Sequence, residues 1–153
     1  MSSVESFWRD FADASGVDAG YSAWAFGSDD DPGLQAKLGF LVRDGPKRAT
    51  TGLLSEYEQE GEALPEAGDY SVILDGRGVP LCIIRTTHVE LRPFSRVDAD
   101  FAWVEGEGDR SLDYWRRAHL AVFDRLGIEI DDGTMMVLER FDLVWPHEAT
   151  GSD

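Results

Sequence analysis

Hydrophobic side chains recur every three or four residues in three stretches of the chain, and this spacing predicts three amphipathic helices. The first ends at Gly16, the second begins at Asp31-Pro32 and ends at Gly45, and the third begins near Ser111. Their apolar stripes are Val4, Phe7, Trp8 and Phe11; Leu34, Leu38 and Leu41; and Leu112, Trp115, His119, Val122 and Leu126.

Stretches rich in β-branched and aromatic residues lie between these helices and after them. The predicted strands are 48–54, 70–74, 79–91 and 134–145, with 21–27 as a short strand or an ordered loop. The turn sequence Asp75-Gly76-Arg77-Gly78 predicts a β-hairpin around it. Residues 93–108 read as irregular or briefly helical.

Helices and strands do not alternate regularly, which argues against a doubly wound parallel sheet. We therefore predict an α+β fold, a small mixed β-barrel with flanking helices. A chain of 153 residues with 42% hydrophobic residues fits one domain, which we place at 1–146, followed by a disordered tail at 147–153.

The formal net charge of −16 excludes some partners. It opposes broad electrostatic binding to duplex DNA, to RNA or to an anionic membrane. The amino terminus lacks an apolar signal core and no stretch has membrane-spanning length, so we expect a cytoplasmic protein. The single cysteine, Cys82, lies in an apolar run and is interpreted as a core residue.

The run Gly45-Pro46-Lys47-Arg48-Ala49-Thr50-Thr51 carries the first candidate chemistry. Only two of the 14 basic residues are lysines, and Lys47 is one of them. A buried lysine can lose its proton and act as a base, which arginine cannot do. Lys47 and Thr50 form a candidate base and nucleophile, provided that a turn or bulge brings them together. Thr51 is interpreted as an ordinary strand residue.

Three segments together resemble the ASCH family (activating signal cointegrator homology), and in particular its longer bacterial members. They are the run 45–50, which matches a G-x-K-x-x-T pattern, the acidic loop and helix start at 102–116, and the closing strand 137–144. With the segment 24–27, the resemblance covers nearly the whole chain. It implies a PUA-like fold with a pocket for a nucleobase or a single-stranded RNA segment.

The resemblance also implies an activity. Some small members remove the acyl group from N4-acetylcytidine with a Lys, a Thr and a Glu, whereas longer members have been assigned ribonuclease activity on single-stranded RNA. Lys47 and Thr50 match the first two positions, and Glu107 is the first choice for the third, with Glu105 as the second. The alternative is a non-catalytic module that binds RNA or a nucleoside.

The remaining candidates concern binding of the nucleoside or single-stranded RNA. The predicted substrate-binding residues are Trp24, Phe26, Arg48, Trp103, Glu105, Arg110 and Ser111. Stacking on aromatic rings is a common way of holding single-stranded bases. Glu105 and Glu107 have a second interpretation, as charges that favour the start of the following helix.

No metal or cofactor is predicted from ligand spacing, although a loosely held divalent cation at Glu105, Glu107 and Asp109 stays open. His119 lies on an apolar helical stripe and is interpreted as a hydrogen-bonded core histidine.

Overall fold

Five α-helices and five strands follow one another along residues 3–27 and 30–146, the part of the chain that the computed structural model describes. The helices are α1 Ser3–Ser15, α2 Pro32–Arg43, α3 Leu54–Glu60, α4 Ala99–Glu105 and α5 Leu112–Arg125. The strands are β1 Ser22–Trp24, β2 Ala49–Leu53, β3 Tyr70–Leu74, β4 Pro80–Pro93 and β5 Met135–Trp145. A single 3-10 turn, Phe94–Arg96, precedes α4. The predicted tail, 147–153, lies outside the described residues.

The three periodic helices are confirmed, and local capping explains where they begin and end. The Asp31 carboxylate accepts a hydrogen bond from the backbone N–H of Leu34 at 3.0 Å and so caps α2. Ser111 Oγ accepts one from Tyr114 N at 3.0 Å and caps α5. Each cap satisfies one of the backbone N–H groups that a helix leaves unpaired in its first turn.

Two short helices were not defined by the hydrophobic pattern. α3 follows β2 directly, has no side-chain cap and buries none of its residues, so it shows no apolar stripe. α4 lies within the stretch predicted as irregular or briefly helical. Asp98 caps its start by accepting from Phe101 N at 2.9 Å, and Gly106 ends it with a left-handed φ of 73°.

The strands form one mixed sheet in the order β1-β3-β4-β5-β2. β1 pairs in parallel with β3, whereas β3 with β4 and β2 with β5 are antiparallel. The predicted hairpin is thus the β3–β4 pair. The β2–β5 register runs unbroken from Ala49 opposite Arg140 to Leu53 opposite Met136. The predicted α+β class is confirmed.

Contacts divide the chain into two compact units. The first contains the described residues of 1–45, 68–86 and 141–153, and the second contains 46–67 and 87–140. In the first unit, aliphatic side chains such as Val42 and Ile73 pack with Phe26 and Phe141, and a second cluster surrounds Phe11. Within the described ranges, no helix is both long enough and apolar enough to cross a membrane.

The core of the second unit joins two helices to one face of β2 and β5. It contains Ala49, Leu53, Phe94, Val97, Phe101, Ala102, Trp115, Phe123, Met136 and Leu138. Ala49 and Leu53 each lie two positions from Thr51, so all three side chains are on the same face of β2. Therefore α4 and α5 pack over the face of β2 that carries Thr51.

Candidate functional site

The segment before β2 and the loop after α4 touch each other within the second unit. A Cβ built on Gly106 would lie 2.8 Å from Lys47 Cα and 2.9 Å from Lys47 N, so only glycine fits at this position. The backbone N–H of Arg48 donates to Val104 O at 2.8 Å. Two stretches nearly sixty residues apart in sequence are therefore held against each other, as the resemblance implied.

Lys47 lies at the centre of this contact and is 1% exposed. Its ammonium donates to Glu107 Oε2 at 2.7 Å and to Ala49 O at 2.8 Å. The backbone carbonyl oxygen and the Oε2 atom of Glu105 each lie 3.4 Å from Nζ. Lys47 is thus not a solvated surface lysine, because its side chain is buried and paired with two carboxylates.

Glu105 forms the buried end of this network, with its side chain 3% exposed. Its Oε1 atom accepts hydrogen bonds from Trp115 Nε1 at 2.6 Å and from Thr51 Oγ1 at 2.8 Å. Burial alone raises the pKa of the Glu105 carboxyl, but the charges of Lys47 and His119 and these hydrogen bonds outweigh it. The net effect lowers the pKa of Glu105, so the carboxylate is ionised near neutral pH.

His119 flanks the same carboxylate from α5. Its Nδ1 atom lies 2.8 Å from Trp115 O, and Nε2 lies 3.7 Å from Glu105 Oε2. The imidazole stacks on the Trp115 ring, with the ring centroids 4.2 Å apart. Burial opposes protonation, but the Glu105 carboxylate outweighs it and raises the pKa of His119. The prediction that His119 is hydrogen-bonded is confirmed. Its contact with Glu105 was not predicted from the sequence.

Glu107 forms the solvent-accessible end of the network. Its side chain is 25% exposed while its Oε2 atom is bound to Lys47. The two acids that the sequence left as first and second choice therefore occupy different environments. Glu105 is enclosed by protein groups, and Glu107 is the carboxylate that a ligand from solvent can reach.

Thr50 and Thr51 lie on opposite faces of β2. Thr51 Oγ1 joins the network through Glu105, and the unbroken register with β5 turns Thr50 to the other face. That second face also carries Gly52, which lies under the Tyr57 ring. The turn or bulge that was needed to bring Thr50 towards Lys47 is not present in β2, because the strand is regular from Ala49 onwards.

Trp103 and Arg110 form an exposed pair beside the acidic loop. Trp103 is 56% exposed, and Arg110 Cζ lies 3.6 Å from the centroid of its ring. Arg110 Nε also donates to Trp103 O at 2.9 Å. Arg110 has a φ of 67°, the one positive φ outside glycine among the described residues. The loop thus holds the guanidinium over the indole with a backbone conformation that costs free energy.

Three other predicted residues have structural contacts. Arg48 Nη1 donates to the backbone carbonyl of Lys47 at 2.7 Å. Ser111 caps α5, and Asp109 Oδ1 accepts from its backbone N–H at 2.8 Å.

The carboxylates of Glu105 and Glu107 face Lys47, and nowhere in residues 3–27 and 30–146 do three or more His, Cys, Asp or Glu side chains form a metal-binding group.

Trp24 and Phe26, also predicted to bind substrate, belong to the first unit. Phe26 is 3% exposed, and its ring packs edge-on against Trp24 at 4.8 Å and near Phe141 at 6.0 Å. Phe26 therefore has no free face for a base and is a core residue of that unit.

Sequence reasoning missed Thr51, Trp115 and His119 as members of the network. A signal was present for two of them. Trp115 and His119 are four residues apart on an apolar helical stripe, and both carry ring nitrogens that need partners when buried.

The sheet order and the flanking helices are those of a PUA-like α+β protein. The chain belongs to the ASCH domain family, whose model matches residues 22–145. This membership suggests RNA binding.

Solved structures support the assignment. The ASCH domain from Lactobacillus crispatus JV V101 is 34% identical, with a TM-score of 0.81, covering 93% of this chain and 94% of that chain. Protein EF3133 from Enterococcus faecalis V583 (DUF984) is 36% identical, also with a TM-score of 0.81, covering 98% and 94%. Hypothetical protein PH0355, at 12% identity and a TM-score of 0.52, shares the fold. No curated protein matches the chain significantly.

Proposed function

We propose that the chain binds a nucleobase next to the Lys47–Glu107 ion pair and hydrolyses an N4-acylated cytidine, either as a nucleoside or in a short single-stranded RNA. The observation that carries this proposal is the partly exposed Glu107 carboxylate, which is fixed by a buried ammonium at 2.7 Å. A carboxylate held in this way beside solvent is suited to proton transfer to and from a bound substrate.

The contacts of Lys47 support a positioning role over that of a base. Its ammonium already donates to Glu107, to Ala49 O and towards Glu105. The donors of Lys47 are thus directed at protein oxygens, away from any group of a substrate. In the proposed site, Lys47 orients the Glu107 carboxylate.

The proposed reaction uses water as the nucleophile. Glu107 accepts a proton from a water molecule whose oxygen attacks the acyl carbonyl carbon, and a tetrahedral intermediate forms. The carbon–N4 bond then breaks, and Glu107 returns the proton to the departing N4 amine. The products are a carboxylic acid and cytidine. Water replaces Thr50 in this scheme because β2 directs Thr50 to its opposite face.

Trp103 and Arg110 are the proposed base-binding pair. The indole, which is 56% exposed, offers ring surface for stacking, and the guanidinium offers donors for a base edge or a phosphate. The net charge of −16 favours a nucleoside or a short strand over long RNA.

A second candidate, a module that binds a nucleoside or RNA without cleaving it, is favoured by one observation. Lys47 is buried and directs its donors at protein oxygens, as a structural lysine does. In this alternative, Glu107 accepts hydrogen bonds from a base and transfers no proton.

The test compares wild type with Glu107→Gln, and with Glu58→Gln, an exposed glutamate on α3. Each protein is incubated with N4-acetylcytidine and, separately, with a labelled single-stranded RNA. Deacylation lost only in Glu107→Gln supports the proposal. If cleavage of the RNA strand is lost only in Glu107→Gln, the protein is a ribonuclease and the proposed amidohydrolase activity is wrong. Binding without turnover supports the second candidate, and neither binding nor turnover overturns both.

A further inference from the structure

The charge network contains one titratable group that the proposed reaction does not use, His119. It lies on α5, and its Nε2 atom lies 3.7 Å from the same Glu105 oxygen that faces Lys47 at 3.4 Å. Glu105 Oε2 is therefore shared between a lysine on one side and a histidine on the other.

The neighbouring carbonyl fixes the tautomer of His119. The backbone oxygen of Trp115 can only accept a hydrogen bond, so the Nδ1 atom at 2.8 Å carries the proton. The proton that is gained or lost on titration is then the one on Nε2. The Nε2 atom lies 3.7 Å from Glu105 Oε2, which is within ion-pair distance but too long for a hydrogen bond.

The charges around His119 come from three residues on two other segments. Glu105 and Glu107 flank the end of α4, and Lys47 precedes β2, whereas its ring neighbours on α5 are Trp115 and Phe123. One ammonium and two carboxylates leave one excess negative charge. A second proton on His119 balances it, so the charge of the site follows the protonation of this one ring.

We propose that His119 is a positioning residue: once protonated, its imidazolium pairs with the Glu105 carboxylate across 3.7 Å, and its protonation removes the excess negative charge behind Glu107. Binding of a phosphate-bearing ligand at Glu107 therefore strengthens as His119 gains its proton, while binding of an uncharged nucleoside changes little. The expected pH dependence of ligand binding rests on the proposed function. The coupling between His119 and the two glutamates does not rest on it.

The coupling is tested without any substrate, by a nitrogen-detected NMR titration of the histidine rings. The proteins are wild type, Glu105→Gln, Glu107→Gln and Glu58→Gln, with the exposed His88 as an internal reference. We expect the midpoint of His119 to fall most in Glu105→Gln, less in Glu107→Gln, and not at all in Glu58→Gln. Two substitutions are used so that a folding defect in Glu105→Gln leaves the test intact. An unchanged His119 midpoint in Glu107→Gln and in any folded Glu105→Gln overturns the proposal.

The pH dependence of ligand binding is tested with a short single-stranded oligonucleotide and with cytidine, over a pH range that spans the His119 titration. For wild type we expect oligonucleotide affinity to fall on the order of tenfold as pH rises, as one unit of charge near the surface predicts. His119→Gln keeps a donor near Glu105 without titrating, so its affinity is independent of pH in this window. His119→Asn keeps only the Trp115 contact, and its binding is weaker at every pH.

A merely structural histidine gives a different result: both variants lose stability and keep the wild-type pH profile, which overturns the proposal. If no ligand binds to any of the proteins, the proposed function fails, and the NMR titration alone decides whether His119 is coupled to the site.

Discussion

The two glutamates that contact Lys47 differ in how accessible their carboxylates are to a ligand. At the buried end, Glu105 directs its oxygens at Trp115, Thr51, Lys47 and His119, and its side chain is 3% exposed. At the open end, Glu107 is bound by Lys47 and is 25% exposed. The comparison teaches that two glutamates two residues apart contact the same lysine from different environments: Glu105 is enclosed by protein groups, and Glu107 is partly exposed to solvent.

The largest expected loss of stability comes from removing Glu105, the buried acid. Glu105→Ala leaves an indole N–H, a hydroxyl and part of an ammonium without their acceptor. Breaking a buried pair in this way costs about 3–5 kcal/mol of unfolding free energy. Urea denaturation of the variant measures it. Glu107→Ala, the matched change at the open end, should cost clearly less, because the side chain of Glu107 is 25% exposed whereas that of Glu105 is 3% exposed, and equal losses at the two positions would contradict the division.

Much of the fold follows from the sequence, because local signals set it. Asp31, Ser111 and Gly16 mark helix ends through caps and a left-handed residue, and these act over a few positions. α3 was missed because it buries no residue, so the hydrophobic pattern carries no trace of it.

The site was only partly predictable. Lys47 could be found because it is one of only two lysines and follows a Gly-Pro turn, whereas Glu107 was found through the resemblance to the ASCH family. Thr51 could not be distinguished from Thr50, because the choice depends on the residue at which β2 begins, and a shift of one residue exchanges the two faces. The contact between His119 and Glu105 depends on how α5 packs against the end of α4, which no local pattern specifies.

A second prediction separates the two faces of β2. Thr51→Val removes a hydroxyl that donates to an ionised carboxylate, and we expect a loss of about 1.5–3 kcal/mol in unfolding free energy. Thr50→Val is the same chemical change on the opposite face and is expected to cost clearly less. Urea titrations of both variants test this. A larger loss of unfolding free energy for Thr50→Val would show that Thr50, and not Thr51, contacts Glu105.

The open end should bind the base through Trp103. Removing its indole in Trp103→Ala is expected to weaken nucleoside or RNA binding by about 1–3 kcal/mol, the usual contribution of stacking. The control is Phe40→Ala in the first unit, another exposed aromatic with an arginine, Arg43, 4.6 Å from its ring centroid. Fluorescence or calorimetric titration tests both, and equal effects would remove Trp103 from the site.

The smallest expected effect is a pH dependence of stability from the buried end. The pKa of His119 is raised in the folded state, so its contribution is complete below the unfolded value, about 6.5, and disappears as pH rises through the folded pKa. The difference in unfolding free energy between wild type and His119→Gln should therefore shrink with rising pH over that interval. Urea midpoints at several pH values measure it, and a difference that grows with pH would reverse the assigned sign.

The most direct test of the division between the two glutamates measures turnover and stability on the same sample of Glu107→Gln. We expect N4-acetylcytidine deacylation to fall by at least about a hundredfold, as loss of a proton-transfer group predicts. The unfolding free energy should stay close to that of wild type and of Glu58→Gln. Turnover that persists, or that falls only in step with the stability, would contradict the assignment of Glu107 as the reactive end of the network.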